Sequence, residues 1–297
     1  MHRRHVLWTT VLLLAAASSG WLLSAPRTAN PSALEGLEAN AERGRLVFHA
    51  GGCASCHAAE GASGEAMLLL TGGQAFPSDF GTFRAPNISP DPVHGIGGWS
   101  AQDLLNAMRA GVSPDGRHYY PAFPYASYAR ASAQDILDLH AYLMTLPTSG
   151  APNLPHETVF PFGIRRGIGL WKIPHLSDEW VVPGDLGPVA ERGRYLVEAL
   201  GHCGECHTPR GPLGGQDRSR WLAGAPDPSG RGRVPSIASG DLDWSEAEIA
   251  AYLQDGFTPD FDTAGGSMAA VIENTARLTD EDRAAIAAYL KVVPAVE

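Results

Sequence analysis

Apolar residues recur at helical spacing near the end of each half of the chain, and polar start signals precede them. Ser or Thr followed three residues later by Asp or Glu marks four helix N-termini, at Ser100, Ser132, Ser245 and Thr279. After the second and fourth of these signals, apolar side chains share one helical face: Leu139, Tyr142, Leu143 and Leu146, and then Ile286, Tyr289, Leu290 and Val293. The pattern predicts core helices in two similar places.

The chain repeats itself over its whole length after the N-terminal segment. Residues 41–45 and 190–194 both read Ala-Glu-Arg-Gly-Arg. Trp-Ser recurs at 99–100 and 244–245, and Ala-Tyr-Leu at 141–143 and 288–290, with offsets of 145 to 150 residues. Self-similarity at a fixed period indicates duplicated structural units. We therefore predict tandem domains at 41–147 and 189–297, joined by a linker at 148–188 that is rich in proline, glycine and aromatic residues.

The first 25 residues have the pattern of an export segment. Basic and histidine residues at 2–5 precede an apolar run over 6–17, and the apolar character resumes at 21–23. A cleaved signal peptide has this polar start and short apolar core, and a retained membrane anchor has similar features. Both alternatives stay open, and in both the basic end remains inside while the rest of the chain crosses the membrane. Residues 26–40 are predicted to be a linker.

Two pentapeptides carry the candidate chemistry. Cys53, Cys56 and His57 form one Cys-x-x-Cys-His string, and Cys203, Cys206 and His207 form the other. This string is the attachment signature of c-type haem, in which the cysteines bind the porphyrin through thioethers and the histidine is the proximal iron ligand. The two strings use all four cysteines of the chain. We predict two covalently attached haem c groups. The alternatives are two disulfides or one zinc site, and neither explains the histidine that follows each pair.

Composition and charge limit the classes of partner that the protein is expected to bind. The chain has 297 residues, 44% of them hydrophobic, and a net charge of −10. Nucleic-acid binding relies on basic surfaces, so this charge disfavours it, whereas it suits docking of a basic redox partner.

The order of motifs in each unit resembles class I cytochrome c. In that family the first and last helices of a domain cross at a glycine, and Gly44 and Gly193 match it, with Tyr142 and Tyr289 as the aromatic partners. The resemblance implies a mainly α fold of two tandem class I cytochrome c-like domains with long loops, preceded by the apolar export or anchor segment.

The strings at 83–91, 95–100, 111–125 and 201–210 resemble the cytochrome c subunits of bacterial periplasmic dehydrogenases that act on alcohols, gluconate, aldehydes or nicotinate. Those of the alcohol and gluconate enzymes generally carry three haems, whereas this chain has two attachment motifs. The resemblance implies a periplasmic dihaem cytochrome c that has no activity alone. It would take electrons from a dehydrogenase catalytic subunit and pass them to a soluble cytochrome c or a membrane oxidase, with or without membrane association.

The resemblance also indicates the distal iron ligands. Met268 lies in the loop before the last helix, where class I cytochromes place their axial methionine. An offset of 145 residues puts Phe123 at the corresponding place in the first unit, and a phenyl ring cannot bind iron. His118 lies in the same loop and is the predicted distal ligand of haem 1, with a vacant position as the alternative.

An enzyme with its chemistry at haem 1 is the opposing function. It would be peroxidase-like or thiosulfate-dehydrogenase-like. The second of these families uses an additional cysteine ligand, and this chain has no cysteine outside its two motifs.

Overall fold

The computed structural model describes residues 2–227 and 232–296. Within those ranges the fold is mainly helical, as predicted. The helices are α1 (His2–Leu23), α2 (Ala41–Ala50), α3 (Cys53–His57), α4 (Ala101–Leu105), α5 (Tyr125–Tyr128), α6 (Ala133–Leu143), α7 (Gly167–His175), α8 (Pro188–Arg194), α9 (Gly204–His207), α10 (Glu246–Asp255), α11 (Ser267–Thr275) and α12 (Asp280–Val292). Two π-helical turns, Asn106–Ala110 and Tyr195–Leu200, continue α4 and α8, and short 3-10 helices cover Pro31–Leu34, Gly64–Leu68 and Arg218–Arg220.

Two small antiparallel sheets lie in what the sequence predicted as long loops. The strands are β1 (Ala75–Ser78), β2 (Gly81–Arg84), β3 (Glu157–Thr158), β4 (Ala225–Pro226) and β5 (Arg233–Val234). β2 pairs with β1 and also with β3, which belongs to the predicted linker, and β4 pairs with β5. The first sheet therefore joins the linker to the first unit through the pairing of β2 with β3.

All four predicted helix start signals are confirmed as N-caps. The Ser100 hydroxyl accepts a hydrogen bond from the Asp103 amide at 3.2 Å, and Ser132 does the same for Asp135 at 3.0 Å. Ser245 and Thr279 cap the last two predicted helices in the same way, with Glu248 and Asp282 as donors. Each bond satisfies an amide that has no partner inside its helix.

The predicted glycine crossings are also confirmed. A Cβ atom on Gly44 would lie 1.9 Å from the carbonyl oxygen of Asp138, and one on Gly193 would lie 1.9 Å from that of Ala285. The Cβ atoms of Tyr142 and Tyr289 lie 2.9 and 2.6 Å from the same two positions. The first and last helices of each unit therefore touch through backbone, because only glycine allows that approach.

One hydrophobic core runs through both units. It includes Val47, Leu105 and Leu139 of the first unit and Leu196 and Ile286 of the second. The segment between the units packs against both of them. Trp171 donates to the Leu213 carbonyl at 2.9 Å, and Lys172 donates to that of Gly111 at 2.8 Å. The two units therefore pack together as one body and are not separate domains joined by a flexible linker.

The N-terminal segment folds as a helix whose apolar side chains are largely exposed, Leu12 at 67% and Leu14 at 63%. Among the described residues, no helix is long and apolar enough to cross a membrane. The end of the segment contacts α7: Ser24 is buried, and the Arg166 guanidinium lies 4.2 Å from the centre of the Trp21 indole ring.

Candidate haem-binding sites

The first attachment motif is a single helical turn placed by a glycine bend. α2 ends at Ala50, and Gly52 has φ +58°, which lets the chain reverse into α3. Nδ1 of His57 then lies 2.8 Å from the carbonyl oxygen of Pro86. A carbonyl only accepts hydrogen bonds, so Nδ1 carries the proton and the lone pair of Nε2 is left for a metal.

The second motif has the same construction. His202 with φ +40° takes the place of Gly52, and Nδ1 of His207 donates to the Pro235 carbonyl at 2.8 Å. Burial lowers the pKa of both His57 and His207, which favours the neutral imidazole that binds iron. Pro86 and Pro235 were not predicted from the sequence as groups that orient the two histidines. The repeated pattern Pro-polar-Ile at 86–88 and 235–237 was the available signal.

The loops that follow the two motifs make the same backbone hydrogen bond in both units. The amide of Gly72 donates to the His57 carbonyl at 2.7 Å, and the amide of Gly224 donates to the His207 carbonyl at 2.7 Å. Both glycines have positive φ, +72° and +76°. Each proximal histidine is thus held through its ring and through its backbone by the same loop geometry in both units.

None of the four cysteines, all of which lie in described segments, forms a disulfide. Cys56 and Cys206 are exposed, whereas Cys53 and Cys203 are partly buried. Burial raises the pKa of Cys53 and Cys203 to about 12, which keeps both as neutral thiols. Within residues 2–227 and 232–296, no group of three or more His, Cys, Asp or Glu side chains is arranged to hold a metal ion. Unpaired thiols beside a histidine with a free Nε2 fit covalent haem.

The family model described as "Cytochrome c" matches residues 41–147 and again 190–294. The chain belongs to the cytochrome c family. A "Diheme cytochrome c-type" protein of Cereibacter sphaeroides is 57% identical over 99% of this cytochrome and 100% of its own length. The fructose dehydrogenase cytochrome subunit of Gluconobacter japonicus is 37% identical over 97% of this chain and 58% of its own. The gluconate 2-dehydrogenase cytochrome c subunit of Pantoea cypripedii is 34% identical over 86% and 59%.

Two covalently bound haem c groups are therefore the cofactors of this cytochrome, as the paired motifs predicted. Its role is electron transfer, as in the cytochrome subunits to which it is similar. The chain spans little more than half the length of those dehydrogenase subunits, but the whole of its dihaem relative.

The predicted distal ligands lie in different surroundings. Met268 is the second residue of α11, is partly exposed and packs against the shared core. His118 is buried, with Nε2 2.9 Å from the Ser24 carbonyl oxygen and Nδ1 3.0 Å from Nζ of Lys172. Burial lowers the pKa of Lys172 to about 7. Ligation of iron by His118 would require its ring to leave both contacts.

The structure brings the two motifs against each other, which the sequence did not indicate. Asn274, which lies on α11 together with Met268, donates to the Ser55 hydroxyl inside the first motif at 2.8 Å. Reciprocally, Ser127, on the helix after the Phe123 loop, donates to the Glu205 carboxylate inside the second motif at 3.1 Å. Partial desolvation by the surrounding protein, and then the neighbouring Cys206, raise the pKa of Cys56. Each unit thus supplies a helix that contacts the haem motif of the other through a side-chain hydrogen bond.

A buried carboxylate at Glu198 completes the junction. It accepts hydrogen bonds from the amides of Val181 and Val182, at 2.6 and 3.0 Å, and from the Tyr289 hydroxyl. Its carboxylate lies 3.7 Å from Nε of Arg130 in the first unit, and both side chains are almost fully buried. Glu198 therefore ties both units and the intervening segment together.

Proposed function

We propose that this cytochrome takes electrons from a partner dehydrogenase and passes them, through its two haems, to a downstream cytochrome or a terminal oxidase. The observation that carries the proposal is the reciprocal packing of the two motifs through Ser55–Asn274 and Ser127–Glu205. Electron transfer between haems requires close and fixed edges, and this packing supports both. The similarity to dehydrogenase cytochrome subunits supports the kind of donor.

In this proposal each residue of the site has one task. Cys53, Cys56, Cys203 and Cys206 would hold the porphyrins, and His57 and His207 would bind the irons. Met268 would be the second protein ligand of the iron in haem 2, where a thioether favours Fe(II) and raises the potential. Haem supplies the redox chemistry, and the surrounding residues set the potentials and exclude water.

The donor is tested by purification from the native host. We expect the affinity-tagged chain, expressed at its natural level, to copurify with a dehydrogenase catalytic subunit. Addition of the substrate of that enzyme, from a panel of alcohols, sugars, sugar acids and aldehydes, would then reduce the haems, seen in the optical α-band. Copurification of no dehydrogenase, together with hydrogen peroxide or thiosulfate turnover by the chain alone, would support the enzyme alternative instead.

We further propose that the cytochrome is exported to the periplasm and keeps its N-terminal segment. The Ser24 carbonyl accepts from His118, and a Cβ on Gly169 would lie 2.3 Å from that same oxygen, which supports a close fit of Ser24 on α7. Arg166 also donates to the Ser24 hydroxyl at 3.0 Å. Intact-mass measurement of the exported holoprotein tests this: we expect the full chain, and loss of residues up to Ala25 would show cleavage.

A further inference from the structure

The loops that precede α5 and α11 share one hairpin backbone over 111–119 and 256–264, in the same register in both units; beyond it, Gly266 with φ +55° stands where the first unit has Pro121. Each loop closes as a short hairpin held by matched hydrogen bonds and one isolated β-bridge. The matched pairs, all offset by 145 residues, are Tyr119 N to Gly111 O and Ala264 N to Gly256 O (both 2.8 Å), Ser113 N to Arg117 O (2.9 Å) and Thr258 N to Asp262 O (2.8 Å), and the bridges Val112–His118 and Phe257–Thr263.

Phe123 therefore corresponds to Met268 in this register, with Phe123 in the turn before α5 and Met268 in the first turn of α11. It lies four residues after the last matched donor, Tyr119, and Met268 lies four residues after Ala264. The Phe123 ring packs against the rings of Tyr119 and Tyr128, with centroids 5.9 and 5.7 Å apart. A phenyl ring offers no lone pair to iron, so the residue at the ligand position of haem 1 cannot serve as a ligand.

The imidazole ring of His118 is engaged in contacts with Ser24 and Lys172. Because the Ser24 carbonyl accepts from Nε2, Nδ1 is the acceptor, and the Lys172 ammonium donates to it. Both ring nitrogens are thus in use, and the side chain is 3% exposed. The corresponding residue of the second unit, Thr263, is exposed and lies outside these contacts.

The methionines of the first unit lie outside this loop. Met108 is buried in the π-helical turn after α4, and Met144 is the C-cap of α6. Met67 lines a small cavity together with Phe48, His49 and Asn274. None of the three is at the ligand position that Met268 defines.

We propose that the distal side of the haem 1 iron takes no ligand from this chain and is a binding site for a small, uncharged diatomic molecule such as carbon monoxide. The side chains at and beside the ligand position, Phe123, Tyr119 and Tyr128, carry no charge, and this favours a neutral ligand over an anion. Haem 2, with Met268, is saturated. The inference rests on the two haems, on the repeat register and on the proposed retention of the N-terminal segment, whose Ser24 holds His118, and not on the identity of the dehydrogenase partner.

The test is carbon monoxide titration of the reduced full-length holoprotein, followed by Soret difference spectra. We expect one carbon monoxide per chain. Phe123→Met should reduce this to none and add a second methionine-to-iron charge-transfer band in the near infrared of the oxidised protein. Phe123→Leu, the matched control, should keep carbon monoxide binding and add no band. Met268→Phe should raise the stoichiometry to two.

Other results would overturn the proposal. Wild-type protein that binds no carbon monoxide, with binding gained in His118→Ala, would identify His118 as the distal ligand. Wild-type protein that binds none and already has two methionine charge-transfer bands would assign another methionine to haem 1. Carbon monoxide binding that Phe123→Met leaves unchanged would place the open site away from residue 123.

Discussion

At the scale of the residue, a backbone carbonyl sets the tautomer and the orientation of the histidine in each haem motif. Pro86 and Pro235 accept from Nδ1 of His57 and His207 at the same distance, 2.8 Å, in both units. That bond fixes the tautomer and the orientation of the ring, and it increases the basicity of the opposite nitrogen. The two motifs are therefore alike on the side of the histidine, and the units differ at the position of Met268, where the first unit has Phe123.

Met268 gives a direct test at this scale. Met268→Ala should remove the methionine-to-iron charge-transfer band and lower the potential of one haem by on the order of 0.1 V, since axial ligands set haem potentials over a range of about 0.8 V. Redox titration with near-infrared spectra measures both effects. Met144→Leu, at the C-cap of α6, is the control and should change neither. A band that survives Met268→Ala would refute the assignment.

At the scale of the element, each unit depends on a helix pair that meets without side chains between the backbones. The close contact of α2 with α6 and of α8 with α12 exists only because Gly44 and Gly193 lack a Cβ atom. The resemblance to class I cytochrome c identified both glycines, which lie in the short motif that is repeated before each haem string. It did not identify β1 to β5, because strands of two to four residues leave too few positions for an alternating pattern.

Adding one methyl group at Gly44 tests the crossing of α2 and α6. Gly44→Ala should destabilise the holoprotein by about 1–3 kcal/mol, because the added carbon overlaps the Asp138 carbonyl and the helices must separate. Gly167→Ala is the matched control: nothing lies within 4 Å of its Cβ position, and α7 begins there. Urea unfolding followed by circular dichroism compares the two. Equal midpoints for both variants would show that the crossing tolerates a side chain.

At the scale of the whole molecule, the two haem units are held together by buried polar groups as well as by the shared core. Arg130 and Glu198 come from different units and are both buried, so each compensates the charge of the other. Asn274 and Ser127 then link each unit to the haem motif of its neighbour. This arrangement sets the relative position of the haems without a covalent link between the units other than the chain itself.

Glu198→Ala tests this junction. It leaves the Arg130 guanidinium buried without its carboxylate and should cost about 3–5 kcal/mol of unfolding free energy. Glu42→Ala is the control, because Glu42 and Arg45 are both exposed in their ion pair, so its loss should cost about 0–1 kcal/mol. Denaturant unfolding of both holoproteins gives the comparison. A loss in Glu198→Ala no larger than in the control would mean that the junction is held by the apolar core alone.

The glycine crossings of this cytochrome were predicted from its resemblance to class I cytochrome c. Its other local features follow from the amino-acid sequence directly: the two haem motifs, the repeat and the four capped helix starts. Each of these is written in neighbouring residues or in helical periodicity, so it can be read without knowledge of the fold. The tertiary structure alone decided which distant groups meet. The contacts of His118 with Ser24 and Lys172, of Glu198 with Arg130 and of Asn274 with Ser55 join residues 54 to 219 positions apart. No local pattern encodes such pairs, because they form only when the packed helices bring their faces together.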